Sequence, residues 1–196
     1  MRISPLRLSD AQHLADIFSK HEVYKLYARG KPIGEEQWRK SLQPVVQCWA
    51  EKMAGAPSVL SWRSLWLAGG SSGSGYLGHI GVGCPNKHGV VELSYSLHPD
   101  HWGHGYVTEA LKIILVEDVL AVEEAKAIKI TAHPENLRSL AVATRIGMVL
   151  VREGKQRFGS IRDKYKLSVD KLKKRATEWK KKGLSYSIIF ENLPLY

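Results

Sequence analysis

Trp102-Gly103-His104-Gly105-Tyr106-Val107-Thr108-Glu109-Ala110 stands between an alternating segment and an apolar one. Before it, Val91, Leu93, Tyr95 and Leu97 fall on one side of an extended chain and Glu92, Ser94 and Ser96 on the other, so residues 90–97 spell a strand. After it, residues 106–120 are apolar with the length of a helix, and the β-branched stretch 127–132 gives another strand. The unit is strand, glycine loop, helix, strand. Two alternate glycines let the main chain come close to a ligand, while the first helical turn offers unpaired N–H groups and a positive dipole end. Such a junction suits a phosphate. A bare glycine turn with no ligand uses the same letters. The run lacks the third glycine of a dinucleotide fingerprint and the Gly-Lys-Ser/Thr ending of a P-loop, so neither of those nucleotide folds fits.

Working outward toward the N-terminus, residues 2–7 alternate weakly and run into Ser9-Asp10, a helix N-cap signal. Ala11, Leu14, Ala15, Ile17 and Phe18 follow at helical spacing, Gly30 to Gly34 breaks the pattern, and residues 35–53 supply a second helix. Its apolar stripe is Trp38, Leu42, Val45, Val46 and Trp49, in spite of Pro44. Residues 58–68 and 76–82 read as strands joined by a Gly/Ser turn, and a second turn at 86–89 leads to strand 90–97. The three strands form an antiparallel run with both helices on one side. Toward the C-terminus, residues 136–146 make a helix closed by Gly147, and 148–153 and 164–169 make strands. Leu172, Ala176 and Trp179 then mark a basic terminal helix with a narrow apolar stripe, and residues 185–196 turn apolar again. That last stretch is a strand or a segment packed on a neighbour.

A chain of 196 residues that is 44% hydrophobic holds one well-buried core. The expected division is a domain over residues 1–169 and a basic helix with an apolar tail over 170–196. No run of about 18 apolar residues occurs and the first residues are not a signal peptide, so no membrane or export role is expected. Cys48 and Cys84 are too few for a disulfide framework and lack metal-site spacing, which makes them reduced thiols and the expected compartment the cytoplasm. The formal charge is +10, and residues 166–182 alone carry eight basic side chains against Asp170 and Glu178. A solvated helix face is the commoner meaning of such a run, and no duplex-binding motif accompanies it. His98, His101 and His104 are three apart, but Pro99 and Gly103 break any helix that would align them, so no metal is expected.

Run 102–110 resembles the phosphate loop of the GNAT acetyltransferases, especially the branch of the ribosomal-protein alanine acetyltransferases. Other segments are similar to the same branch in the same order. Leu6-Arg7-Leu8 with Ser9-Asp10 looks like its opening, residues 92–97 like its central strand, Asn136-Leu137-Arg138-Ser139 through Ile146-Gly147-Met148 like its second cofactor segment, and residues 163–168 like its final strand. The resemblance implies an α/β (α+β) fold with a mixed, mostly antiparallel sheet, splayed at the cofactor site and covered by helices on both faces. It implies acetyl-CoA as co-substrate. The main chain of Trp102, Gly103, His104, Gly105, Tyr106 and Val107 would hold the pyrophosphate, with Thr108 as a further donor. Ser96 and Leu97 would pair with the pantetheine arm, Asn136 would reach it with its side chain, and Leu137 and Arg138 would lie alongside. Asn136 is also a plain helix cap in this position, and both roles can coexist. Trp102 stands where the family has Gln or Arg, as this branch often does, and Val107 is bulkier than the usual Gly or Ala.

A protonated amine cannot attack a thioester until it loses a proton, so the site needs a base. Glu92, on the polar side of the central strand, is the first candidate; a solvated or ion-paired strand carboxylate is the plainer reading. An N–H near Leu97 would serve the oxyanion, and Ser139 or Tyr95 would return a proton to the leaving thiolate. The expected reaction is transfer of an acetyl group to a primary amine, a protein N-terminus or a small molecule, by direct attack in a ternary complex. Two other readings stand beside it. One is an acyl-CoA-binding sensor or interaction module without strong catalysis. The other is RNA or ribosome contact through the basic tail. The acceptor pocket is expected between residues 10 and 53 and the loops around Asn86 and Phe158, and monomer or homodimer is left open.

Overall fold

In a computed structural model, residues 1–27, 30–53, 61–69, 75–157 and 160–183 are described. The strands β1 (Arg2–Pro5), β2 (Ser61–Trp66), β3 (Tyr76–Val82), β4 (Val90–Leu97), β5 (Ala127–Ala132), β6 (Val149–Arg157) and β7 (Ser160–Ser168) form one sheet in the order β1-β2-β3-β4-β5-β7-β6. Every neighbouring pair is antiparallel except β4 and β5, which run parallel. That exception fixes the site. The parallel ladder pairs only Val90, Val91 and Glu92 with Ala127, Ile128 and Lys129, and beyond it the two strands part. The mixed, mostly antiparallel, splayed sheet expected from sequence is the one found.

The helices are α1 (Ala11–Ser19), α2 (His21–Tyr24), α3 (Glu35–Met53), α4 (Tyr106–Ile114), α5 (Leu137–Arg145) and α6 (Val169–Lys181). Pleat alternation sorts the sheet into two faces. On one face Ile80, Val82, Leu93, Leu97, Ile128, Ile130 and Leu167 pack with Val107, Leu111 and Ile114 of α4, Ala143 of α5 and Leu172 and Trp179 of α6. Over the N-terminal half of the other, Leu14, Ile17 and Phe18 of α1 and Trp38 and Leu42 of α3 make a second core with Tyr76. Helices therefore cover both faces, and of the stripe read for α3, Trp38, Leu42 and Val45 are buried and Val46 is half-buried. The Trp49 side chain, residues 58–60, most of the Gly/Ser turn, Phe158 and residues 185–196 lie outside the described residues.

Three differences from the sequence reading have physical causes. The helix expected over 106–120 is α-helical only to Ile114, and Leu115–Val119 is a π-turn. There Asp118 faces β2, where its carboxylate pairs with the Arg63 guanidinium at 2.8 Å and accepts from Ser61 Oγ at 2.5 Å, a buried partnership that apolar periodicity does not encode. The strands expected at 148–153 and 164–169 extend into a longer hairpin with irregular register, because β7 is held on both edges, by β5 and β6. The single turn of α2 has too few residues to show a period.

Candidate active site

Gly103 and Gly105 adopt left-handed φ of +85° and +80°, and a Cβ on either meets no atom within 4 Å. Backbone conformation, not crowding, is what calls for glycine there. Gly105 caps α4, so the main chain turns from the end of β4 directly into a helix start. Among the described residues, the N–H groups of Gly103, His104, Gly105, Tyr106, Val107 and Thr108 donate to no protein acceptor. The buried Thr108 hydroxyl likewise has no partner there. A concave row of unmet donors at a helix N-terminus is an anion cradle.

Two contacts fix this loop. The Trp102 indole N–H donates to the Leu97 carbonyl at 2.9 Å, and the Arg138 guanidinium lies 4.4 Å from the Trp102 ring centre. Strand end, loop and α5 are thereby locked together. Asn136 caps α5 by accepting from Ser139 N at 3.1 Å. Across the gap, the Tyr95 hydroxyl lies 2.8 Å from Ser139 Oγ and donates to the Ser139 carbonyl at 3.1 Å. Burial pushes the Tyr95 phenol up to about 12, so it keeps its proton at neutral pH.

These groups line one cavity of about 390 Å³. Of the residues singled out from sequence, Tyr95, Ser96, Leu97, Trp102, Gly103, Gly105, Tyr106, Val107, Thr108, Asn136, Leu137, Arg138 and Ser139 are on its wall. His104 is not; its exposed ring stacks on Tyr106 at 5.6 Å. Glu92 is not on the wall either. It sits four residues back along β4 on the same side as Ser96, pairing with Lys129 Nζ at 3.0 Å and accepting from Thr131 Oγ1 at 3.0 Å. Ser96 is held by His79, whose Nδ1 is 2.8 Å from its hydroxyl, and burial lowers that imidazole to about 4.

Sequence reasoning missed Val142 and Arg145 on the α5 side of the cavity; Glu22, Val23, Leu26 and Tyr27 on the opposite wall fall within the 10–53 span expected to shape the acceptor pocket but were not singled out. With Arg138, the first two fall at i, i+4 and i+7, a spacing that was available as a signal. The α2 residues had none. The Asn86 side chain caps its own turn, accepting from His88 N and Val90 N, and the Gly89 carbonyl holds Lys126 N at 2.8 Å, so this turn packs at the opposite end of β4 from the cavity. Among the described residues no three His, Cys, Asp or Glu side chains are grouped to hold a metal ion, and no helix is long and apolar enough to cross a membrane.

A sheet opened between two parallel-paired strands, with an anion-binding helix start at the opening, is the architecture of the GNAT fold. The chain belongs to the GNAT acetyltransferase family: the family's acetyltransferase (GNAT) domain matches residues 1–149. No curated protein matches the chain in sequence. Among solved structures it is similar to the ribosomal-protein-S5-alanine acetyltransferase of Vibrio fischeri (14% identity, 86% of this chain and 92% of that one, TM-score 0.66). It is similar also to spermidine N-acetyltransferase from Vibrio cholerae in complex with CoA and spermine (11% identity, 87% and 96% covered, TM-score 0.67). An aminoglycoside acetyltransferase in complex with coenzyme A matches at 13% identity, with 88% and 97% covered and a TM-score of 0.67. At such identities these likenesses speak for the fold.

Proposed function

We propose that this chain transfers the acetyl group of acetyl-CoA to a primary amine by direct attack in a ternary complex. The row of N–H groups from Gly103 to Thr108 with no internal acceptor is the observation that carries the reading. Those donors would hold the pyrophosphate, with the Thr108 hydroxyl as a further donor. The arm would run into the gap where β4 and β5 part, adding its amides to the β4 edge beside Ser96 and Leu97, where the Leu97 carbonyl already accepts from the Trp102 indole. Asn136, Leu137 and Arg138 would flank it. Two of the similar structures were solved in complex with coenzyme A, which supports that coenzyme as the ligand.

In the reaction the amine nitrogen forms a bond to the acetyl carbon and the carbon–sulfur bond breaks. Glu92 would take the ammonium proton, directly or through water; the ion pair with Lys129 keeps the carboxylate ionised and weakens it as a base, so the pair would have to loosen as the proton is taken. A backbone N–H near Leu97 would stabilise the oxyanion. The thiolate would take a proton from Tyr95, whose hydroxyl lies 2.8 Å from Ser139 Oγ, and the second proton shed by the attacking nitrogen as the amide forms would restore that pair through solvent. Holding both substrates in one cleft supplies much of the acceleration in such a scheme.

The test is calorimetric titration of the folded protein with coenzyme A, followed by thiol release from acetyl-CoA against a panel of amines. Saturable binding and amine-dependent release are expected. Absence of coenzyme uptake overturns the reading, and uptake without release on any amine favours a binding module.

A further inference from the structure

The Glu92 carboxylate and the cavity do not meet. Glu92 is the last residue of β4 in the parallel ladder, and its Oε1 accepts at 3.0 Å from Thr131 Oγ1, two residues beyond the last paired position of β5. The carboxylate therefore leans toward the open end of the gap. On its side of β4 the cavity wall begins at Ser96, four residues further on. Four residues of strand span about 13 Å, more than one hydrogen bond crosses. A proton leaving an amine in the cavity needs an intermediate group to reach Glu92.

Tyr27 stands on the cavity wall opposite α5 and is fixed from three directions. Its ring meets Phe18 of α1 edge-on with centres 4.6 Å apart, its N–H donates to the Tyr24 carbonyl at 3.0 Å, and the preceding Leu26 carbonyl accepts from Arg162 Nη1 of β7 at 2.7 Å. The Tyr27 hydroxyl makes no hydrogen bond among the described residues, yet Arg162 and Glu92 are both within electrostatic reach of it. Burial raises this phenol above its ordinary value, with Arg162 lowering it and Glu92 raising it, so it is neutral at pH 7. A neutral phenol is no base, but its oxygen can accept one proton while it passes on another. We propose that Tyr27 is a catalytic proton relay between the acceptor amine and Glu92, direct or with one water on the Glu92 side. The ammonium N–H bond breaks as its proton moves to Tyr27 Oη, and the Tyr27 O–H bond breaks as its own proton moves to a Glu92 oxygen. The nitrogen keeps the electron pair for attack, the phenol ends neutral as it began, and Glu92 returns its proton to solvent after the product leaves. This rests on the acetyl-transfer reading of the same site.

The test compares wild type, Tyr27→Phe, Glu92→Gln and the double variant in single-turnover acetyl transfer to spermidine, an aminoglycoside and a peptide beginning with alanine. Tyr27→Phe keeps the ring against Phe18, so coenzyme A affinity and melting temperature should hold while the rate falls at least about tenfold. Because both groups serve one proton, the double variant should be no slower than the slower single one. Raising the pH from about 7 to about 9 populates the free amine, so the Tyr27→Phe rate should climb toward that of the wild type, a recovery that a packing role would not give. An undiminished rate in either single variant, losses that multiply in the double variant, or a Tyr27→Phe deficit independent of pH overturns the relay while leaving acetyl transfer intact. If the wild type acetylates none of the three amines, the transfer reading fails and the relay falls with it.

Discussion

Glu92 and Tyr95 lie three residues apart on β4 and project from opposite faces of the sheet, so the proton-accepting and proton-donating sides of an acyl transfer would be divided by one strand. Glu92→Gln should lower the turnover rate at least about tenfold, as loss of a positioned base does, with coenzyme A affinity unchanged. Single-turnover kinetics alongside calorimetry separate the two, and an undiminished rate removes Glu92 from the mechanism. Tyr95→Phe keeps the ring and deletes the donor, so it should lower the single-turnover rate while leaving coenzyme A affinity unchanged. His79 carries a different prediction. Its imidazole, lowered to about 4 by burial, stays neutral in the fold while an unfolded chain binds a proton near the ordinary 6.5. The unfolded state then holds more protons between these values, so stability is full above about pH 6.5 and falls as pH drops toward 4. Denaturant midpoints at pH 7 and pH 5 should show this fall in the wild type, and His79→Asn should flatten it.

At the scale of elements, the π-turn at Leu115–Val119 is held to β2 by the buried Arg63–Asp118 pair, with side chains 8% and 7% exposed. Removing one partner strands the other charge in the interior, so Asp118→Ala should cost about 3–5 kcal/mol in urea unfolding. Arg63→Met combined with Asp118→Leu should recover most of it, which separates loss of the pair from loss of packing. Nothing in the apolar period of 106–120 announces this turn, since that period records which residues face the core and not how wide each turn is. β4 was legible because Val91, Leu93, Tyr95 and Leu97 alternate strictly against polar neighbours. The hairpin of β6 and β7 was legible only in part, because Val149, Leu150, Val151 and Ile161 are exposed and break the alternation that burial would impose. For the site, the glycine loop and the Asn136 cap spoke locally through turn chemistry. The α2 wall arises from long-range packing alone, where Arg162 reaches Leu26 across the chain.

For the molecule as a whole, the open point is whether the basic C-terminal helix is an appendage, as the expected boundary at residue 169 implies, or a part of the main core. The fold argues for the second. Ser168 caps α6 by accepting from Lys171 N at 3.3 Å, and Val169 N donates to the Lys126 carbonyl at 2.9 Å, so β7 passes into the helix without a linker. Leu172, Ala176 and Trp179 are buried, and Leu172 and Trp179 belong to the same cluster as α4 and the centre of the sheet. Emptying a Leu and a Trp site costs about 2–5 kcal/mol each, against a total stability of about 5–15 kcal/mol for a typical domain. A chain ending at Ser168 should therefore lose its cooperative thermal transition and its near-ultraviolet circular dichroism. The basic side of α6 is a separate matter, because Lys173, Lys174 and Lys180 are exposed. Replacing these three by Glu should shift the melting temperature by only a few degrees, since surface substitutions of this kind stay within about 0.5 kcal/mol each. A truncated chain that melts like the full one would show that α6 contributes nothing to the core, and that its lysines alone account for its presence.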